Sequence, residues 1–215
     1  MSEATRALIE EVDLGGGWLH VRNKPELGWM VKTGHERSVP LLPEVVTVLR
    51  GVIGTRIAGP VFLRPRFLRG DTSSLAGDKA GLEAVCRERV RASGSPSREA
   101  AARVARGVWS DAGAVKADAV RTSFIRVARS IGRPGATCPK SWRHTFATLL
   151  QDANVDPLVR QVTLGHRPSS GGALGMTAAY THTRPETQRR QVEEALRRWP
   201  EVLALALERA EGGAA

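Results

Sequence analysis

Apolar residues recur three and four positions apart through most of the chain, and only a stretch near its start alternates. The contrast predicts a mainly helical protein with a small sheet. Residues 2–11 read as a helix capped by Ser2, with Ala4, Ala7 and Leu8 at helical spacing. After a glycine turn at 15–17, residues 18–22, 29–33 and 35–41 read as three antiparallel strands, the last two joined by the tight turn at Thr33 and Gly34. Residues 43–50 form an amphipathic helix with Val45, Val48 and Leu49 inward, and 61–63 a short packed segment. Helices at 75–92 and 97–109 follow, separated by SGSPS, the second with a basic side at Arg98, Arg103 and Arg106. A helix at 118–131 buries Val120, Phe124, Val127 and Ala128 and turns Arg121, Arg126 and Arg129 outward.

The next helix, 139–153, carries chemistry as well as a stripe. Thr137 caps it, Pro139 suits its first turn, and Trp142, Phe146, Leu149 and Leu150 mark its apolar side. Arg143 falls in the first turn, where unpaired N–H groups and the positive end of the helix dipole favour an anion. Asp156 and Pro157 start a second helix that buries Leu158, Val162 and Leu164 and ends at Gly165, so His166 lies just past a helix end. A Gly/Ser/Pro-rich loop at 167–175 leads to a segment at 176–182 that presents Tyr180, the chain's single tyrosine. Residues 185–199 make the last amphipathic helix, Pro200 interrupts it, 202–207 continue it with an apolar face, and 212–215 fray.

Charge sharpens this picture. The 215 residues hold 32 Lys and Arg against 22 Asp and Glu, a net charge of +10 with Arg in large excess, which suits a polyanionic partner. Cys86 and Cys138 lie far apart with no metal-ligand spacing, and we expect both reduced, in the cytoplasm, with no bound metal. No apolar run approaches the ~20 residues that cross a bilayer, and the acidic start lacks signal-peptide character, so no membrane partner is expected.

The runs KSWRHTFATLL, VRQVTLGH and AAYTHT, taken in order, resemble the second conserved block of the tyrosine recombinases, the phage integrase family. Upstream, VKTGHERSVPLLPE resembles that family's lysine-bearing β-hairpin, and SEATRALIEEVDL the piece that follows its first catalytic arginine. The resemblance spans 13 to about 194. It implies an α+β, mainly α, DNA breaking-rejoining domain over 1–211, with a small three-stranded antiparallel sheet near the N-terminus, a C-terminal helix at 185–211 and an inserted helical segment at about 66–113. The insert reads either as an added DNA or partner surface or as a solvated cover for one end of the core. The C-terminal helix docks either on a neighbouring protomer or on its own core.

By the same resemblance Tyr180 is the nucleophile, Arg143 clamps a phosphate oxygen, Lys140 occupies the family's His-or-Lys place, and His166 donates a further hydrogen bond. Lys32, beside the hairpin turn, protonates the departing 5′-oxygen, with Lys24 as the second choice. Arg121, Arg126, Arg129 and His144 are expected at the DNA, His144 being as readily structural. The phosphotyrosyl intermediate conserves bond energy, so neither ATP, metal, cofactor nor small-molecule substrate is expected. The expected partners are double-stranded DNA and further copies of the chain.

Two departures matter. The stretch from His166 to Tyr180 is longer than the family's usual spacing, and Met1 stands where the first arginine belongs, as in a truncated family member. Arg6, the nearest upstream arginine, reads as a solvated helix residue. The competing expectations are therefore an inactive DNA-binding remnant or regulator of the same fold, and a type IB topoisomerase-like enzyme that relaxes supercoils.

Overall fold

The computed structural model describes residues 2–70, 74–75, 77–94, 97–166 and 183–212, the last four through their backbone only. In chain order its elements are α1 (Ser2–Thr5), β1 (Val12–Asp13), β2 (Trp18–Val21), β3 (Arg37–Pro40), α2 (Pro43–Ile53), α3 (Pro65–Leu68), α4 (Lys79–Ala92), α5 (Arg98–Asp111), α6 (Ala117–Ser130), α7 (Lys140–Asp152), α8 (Pro157–Leu164), α9 (Pro185–Leu196) and α10 (Pro200–Gly212). The protein is thus mainly helical with a small three-stranded antiparallel sheet in the order β1-β2-β3. The chain divides into two compact units, one of Met1–Val12, Val21–Val31 and Val52–Pro139, the other of Asp13–His20, Lys32–Gly51 and Lys140–Ala215.

The first unit is built on the paired helices α4 and α5. Asp78 caps α4 by accepting from the Gly81 N–H at 2.8 Å, and Ser97 caps α5 through Ala100 at 3.1 Å. Leu82 and Cys86 of α4 meet Ala105, Val108 and Trp109 of α5 in a cluster that also holds Leu8, Leu27, Ala112 and Ala114. A solvated cover is therefore the wrong description of 66–113, because these residues supply most of this core. The Trp109 indole N–H donates to Leu27 O at 2.9 Å, and the Arg6 guanidinium stacks 4.7 Å from the Trp109 ring centre. Arg6 is accordingly half-buried packing, not a solvated residue, and burial lowers its pKa.

Local chemistry explains where this unit departs from the expected elements. The helix expected over 2–11 breaks after Thr5, because Leu8 is extended and fully buried and bridges to Pro60; a 3-10 turn, Ile9–Glu11, follows. In place of a strand over 29–33, Pro25–Leu27 form a 3-10 turn that Gly28 closes at φ 65, leaving a single bridge from Lys24 to Trp29. Lys24 is 1% exposed, and its ammonium lies 2.6 Å from Glu11, donates to Arg22 O at 3.1 Å and sits over the Trp29 ring. On α6, Ala128 is buried and Val120 and Phe124 half-buried, but Val127 is exposed, so the inward face is narrower than its spacing suggested.

In the second unit, Asp13 Oδ1 accepts from the Gly15 and Gly16 N–H groups at 3.1 and 2.7 Å, which fixes the β1–β2 turn. Helices α8 and α9 pack on β3, and buried Gln188 of α9 joins all three by donating to Ser38 O and Thr163 Oγ1, each at 3.1 Å. The apolar cluster beneath is small: Leu150, Val155, Val159, Val192 and Ala195, with Phe146, Ala153 and Leu196 against it. Trp142, expected in the α7 stripe, is exposed instead, since the stripe closes only from Phe146 onward.

Candidate functional site

The site is organised by the ends of α8. At its start Asp156 Oδ1 accepts from the Leu158 and Val159 N–H groups at 2.7 and 3.4 Å, and Pro157 presets the first turn. At its end Gly165 adopts φ 67, a left-handed conformation that only glycine takes cheaply, while His166 N–H bonds back to Gln161 O at 2.9 Å. This stop leaves the last carbonyls of the helix, with their partial negative charge, open to cationic donors. The buried face is Val159, Thr163 and Leu164; Leu158 is only half-buried and Val162 is 40% exposed, one step from the face expected.

Two arginines from distant parts of the chain answer those carbonyls. Arg143, in the first turn of α7, donates through Nη2 to Leu164 O. Arg37, the first residue of β3, reaches Thr163 O with Nε at 3.4 Å, and its guanidinium lies against Gly165. His166 follows directly, its ring pKa lowered from the ordinary 6.5 first by partial burial and then by the charges of Arg143 and Arg37. The imidazole is therefore neutral at physiological pH, with one ring N–H to donate and one lone pair to accept. A cavity of about 200 Å³ opens here, lined by Thr33, His35, Glu36, Arg37, Val162, Gly165 and His166. Neutral imidazole and guanidinium together can bind an oxyanion and move a proton beside it.

Of the residues expected from sequence, Arg143 and His166 are thus gathered at one helix end. Lys32 is exposed on the turn immediately before Thr33, at the edge of the segment that lines the cavity. Lys140 and His144 are exposed on α7, Lys140 opening the helix and His144 following Arg143. Tyr180 and His182 lie outside the described residues. Arg121, Arg126 and Arg129 are exposed on α6, in the first unit. Lys24, the alternative to Lys32, does not serve, because its charge is buried against Glu11.

Arg37 was missed by sequence reasoning. An arginine in an alternating strand looks like an outward-facing surface residue, and nothing in its sequence neighbourhood marked it otherwise. Among the described residues no group of three or more His, Cys, Asp or Glu side chains could hold a metal ion, and no helix is long and apolar enough to cross a membrane. The cysteines are not disulfide-bonded: Cys86 is buried and donates its S–H to Glu26 O at 3.2 Å, and Cys138 is exposed. No family model matches this chain, and no curated protein or solved structure matches it either.

Proposed function

We propose that this protein is a tyrosine recombinase that cleaves and rejoins double-stranded DNA, acting in the cytoplasm as an assembly of copies on its target. The observation that carries this reading is the meeting of Arg143 and His166, from two separated sequence motifs, at the end of α8 beside the segment that bears Lys32. In the reaction the Tyr180 oxygen bonds to phosphorus and the bond from phosphorus to the 5′-oxygen breaks. The phenol proton passes to neutral His166, while Lys32 gives a proton to the leaving 5′-oxygen. Arg143 and Lys140 neutralise the charge that gathers on the non-bridging oxygens. Attack by another strand's 5′-hydroxyl reverses these steps and reseals the DNA. Arg121, Arg126 and Arg129 hold the backbone without reading sequence.

A second reading, a DNA-binding remnant without chemistry, draws on Arg6. Arg6, the arginine nearest the position of Met1, is committed to the Trp109 ring, so it does not fill the place that the resemblance gives to a first arginine. Trapping on nicked suicide duplexes that carry candidate attachment sites decides between the two. A covalent adduct that survives denaturation and is lost in Tyr180→Phe supports the enzyme. DNA binding without any adduct supports the remnant, and paired-site exchange by the adduct-forming protein separates a recombinase from a topoisomerase.

A further inference from the structure

The position of Arg37 calls for an explanation. A Cβ built on Gly165 would stand 2.7 Å from Arg37 Cζ and Nη1 and 2.9 Å from Nε, so the guanidinium occupies the space that any side chain at 165 would fill. With Arg143 on Leu164 O and Arg37 on Thr163 O, two guanidinium groups end on successive carbonyls of one helix terminus, next to His166. Glu36 and His35 also line the cavity, Glu36 bringing a carboxylate and His35 a second imidazole.

We propose that Arg37 is a phosphate-contacting residue of this site, pairing with Arg143 around the two non-bridging oxygens of the scissile phosphate and supplying a second guanidinium there. Gly165 is what admits it: the helix stop and the phosphate contact are one arrangement, in which the missing side chain of residue 165 is replaced by the side chain of residue 37. The inference rests on the strand-breaking reading for its chemistry, though not for the contact itself.

The test uses the full chain, Arg37→Ala and Arg37→Lys on nicked duplexes bearing either a normal phosphate or a neutral methylphosphonate at the scissile position. Loss of a preorganised donor to an anionic transition state lowers rate by about 10²–10³. Adduct formation by Arg37→Ala should fall by that factor on phosphate and by less than about tenfold on methylphosphonate, where the charge to be met is smaller. Arg37→Lys should recover part of the rate while its thermal melt confirms folding. An equal loss on both substrates would make Arg37 a packing residue and overturn the proposal.

Salt dependence of duplex binding separates the proposal from the reading beneath it. If Arg37 meets phosphate, Arg37→Lys leaves the slope of log affinity against log salt unchanged and Arg37→Ala reduces it by about one. Were the unaltered chain to form no adduct on either substrate, the strand-breaking reading would fail; the salt slope would then uphold or overturn the contact alone.

Discussion

The two units put selected cations to different uses. In the first, three cations are absorbed into the architecture while Arg121, Arg126 and Arg129 stay exposed: Arg56 donates to the carbonyls of Val52, Ile53, Pro60 and Val61, Lys24 is sealed against Glu11, and Arg6 lies on Trp109. In the second, Arg37, Arg143 and His166 gather at a helix end that opens into a cavity. Yet most of the chain's net charge of +10 belongs to the first unit, since the second has nearly as many acidic as basic residues. Amount of charge and placement of charge are thus divided between them. Total charge governs association with a polyanion, whereas chemistry needs a few cations held in one place.

The largest effect should come from breaking the first unit at its centre. Trp109 is 2% exposed and is held by its own indole N–H and by Arg6. Trp109→Ala removes the largest buried side chain among the described residues and should cost about 3–5 kcal/mol of folding stability, measured by urea denaturation. Were 66–113 a solvated cover after all, the loss would stay below about 1 kcal/mol, as surface changes do.

A smaller effect should sharpen the account of the second unit. Gly165→Ala places a methyl group within 2.7 Å of the Arg37 guanidinium and strains a residue at φ 67. The strain alone costs on the order of 1 kcal/mol in stability. Adduct formation should fall by about 10²-fold, because Arg37 is displaced from its donor position. A stability loss with unchanged adduct formation would show that the guanidinium is not needed where it lies.

What the sequence made legible divides along the same lines. Features set by neighbouring residues were readable: Asp156 and Pro157 start α8, Gly165 stops it, and the glycine turn after Asp13 closes the β1–β2 hairpin. Features set by distant partners were not. Val12–Asp13 is too short to announce itself as a strand and takes that role through pairing with β2, while residues 29–33 had the right composition but follow a proline turn. The exposure of Val127 and Trp142 likewise depends on what packs beside them, which helical periodicity does not specify. At the site, the motifs brought Arg143 and His166 together because each sits at a helix end that local signals define. Arg37 joins them through the packing of β3 on α8, a tertiary fact with no sequence mark of its own.

The smallest effect tests the electrostatics directly. His166 titrates below the ordinary 6.5 through partial burial and then through Arg143 and Arg37, with Glu36 and His35 also at the cavity. A histidine whose folded pKa is lowered binds protons less readily than in the unfolded chain, so its contribution to stability is lost as pH falls from about 6.5 through the lowered folded value. The ring is exposed, which keeps that contribution small, but its titration can be followed by NMR. Arg143→Gln should move the His166 midpoint upward by removing the larger of the two charge effects, Arg37→Gln should move it upward by less, and the double variant should move it furthest. Burial ranks first among the causes, so even the double variant should titrate below 6.5. A midpoint that stayed fixed in all three variants would mean that the arginines do not act on His166, and the contrast between absorbed and gathered charge would lose its chemical half.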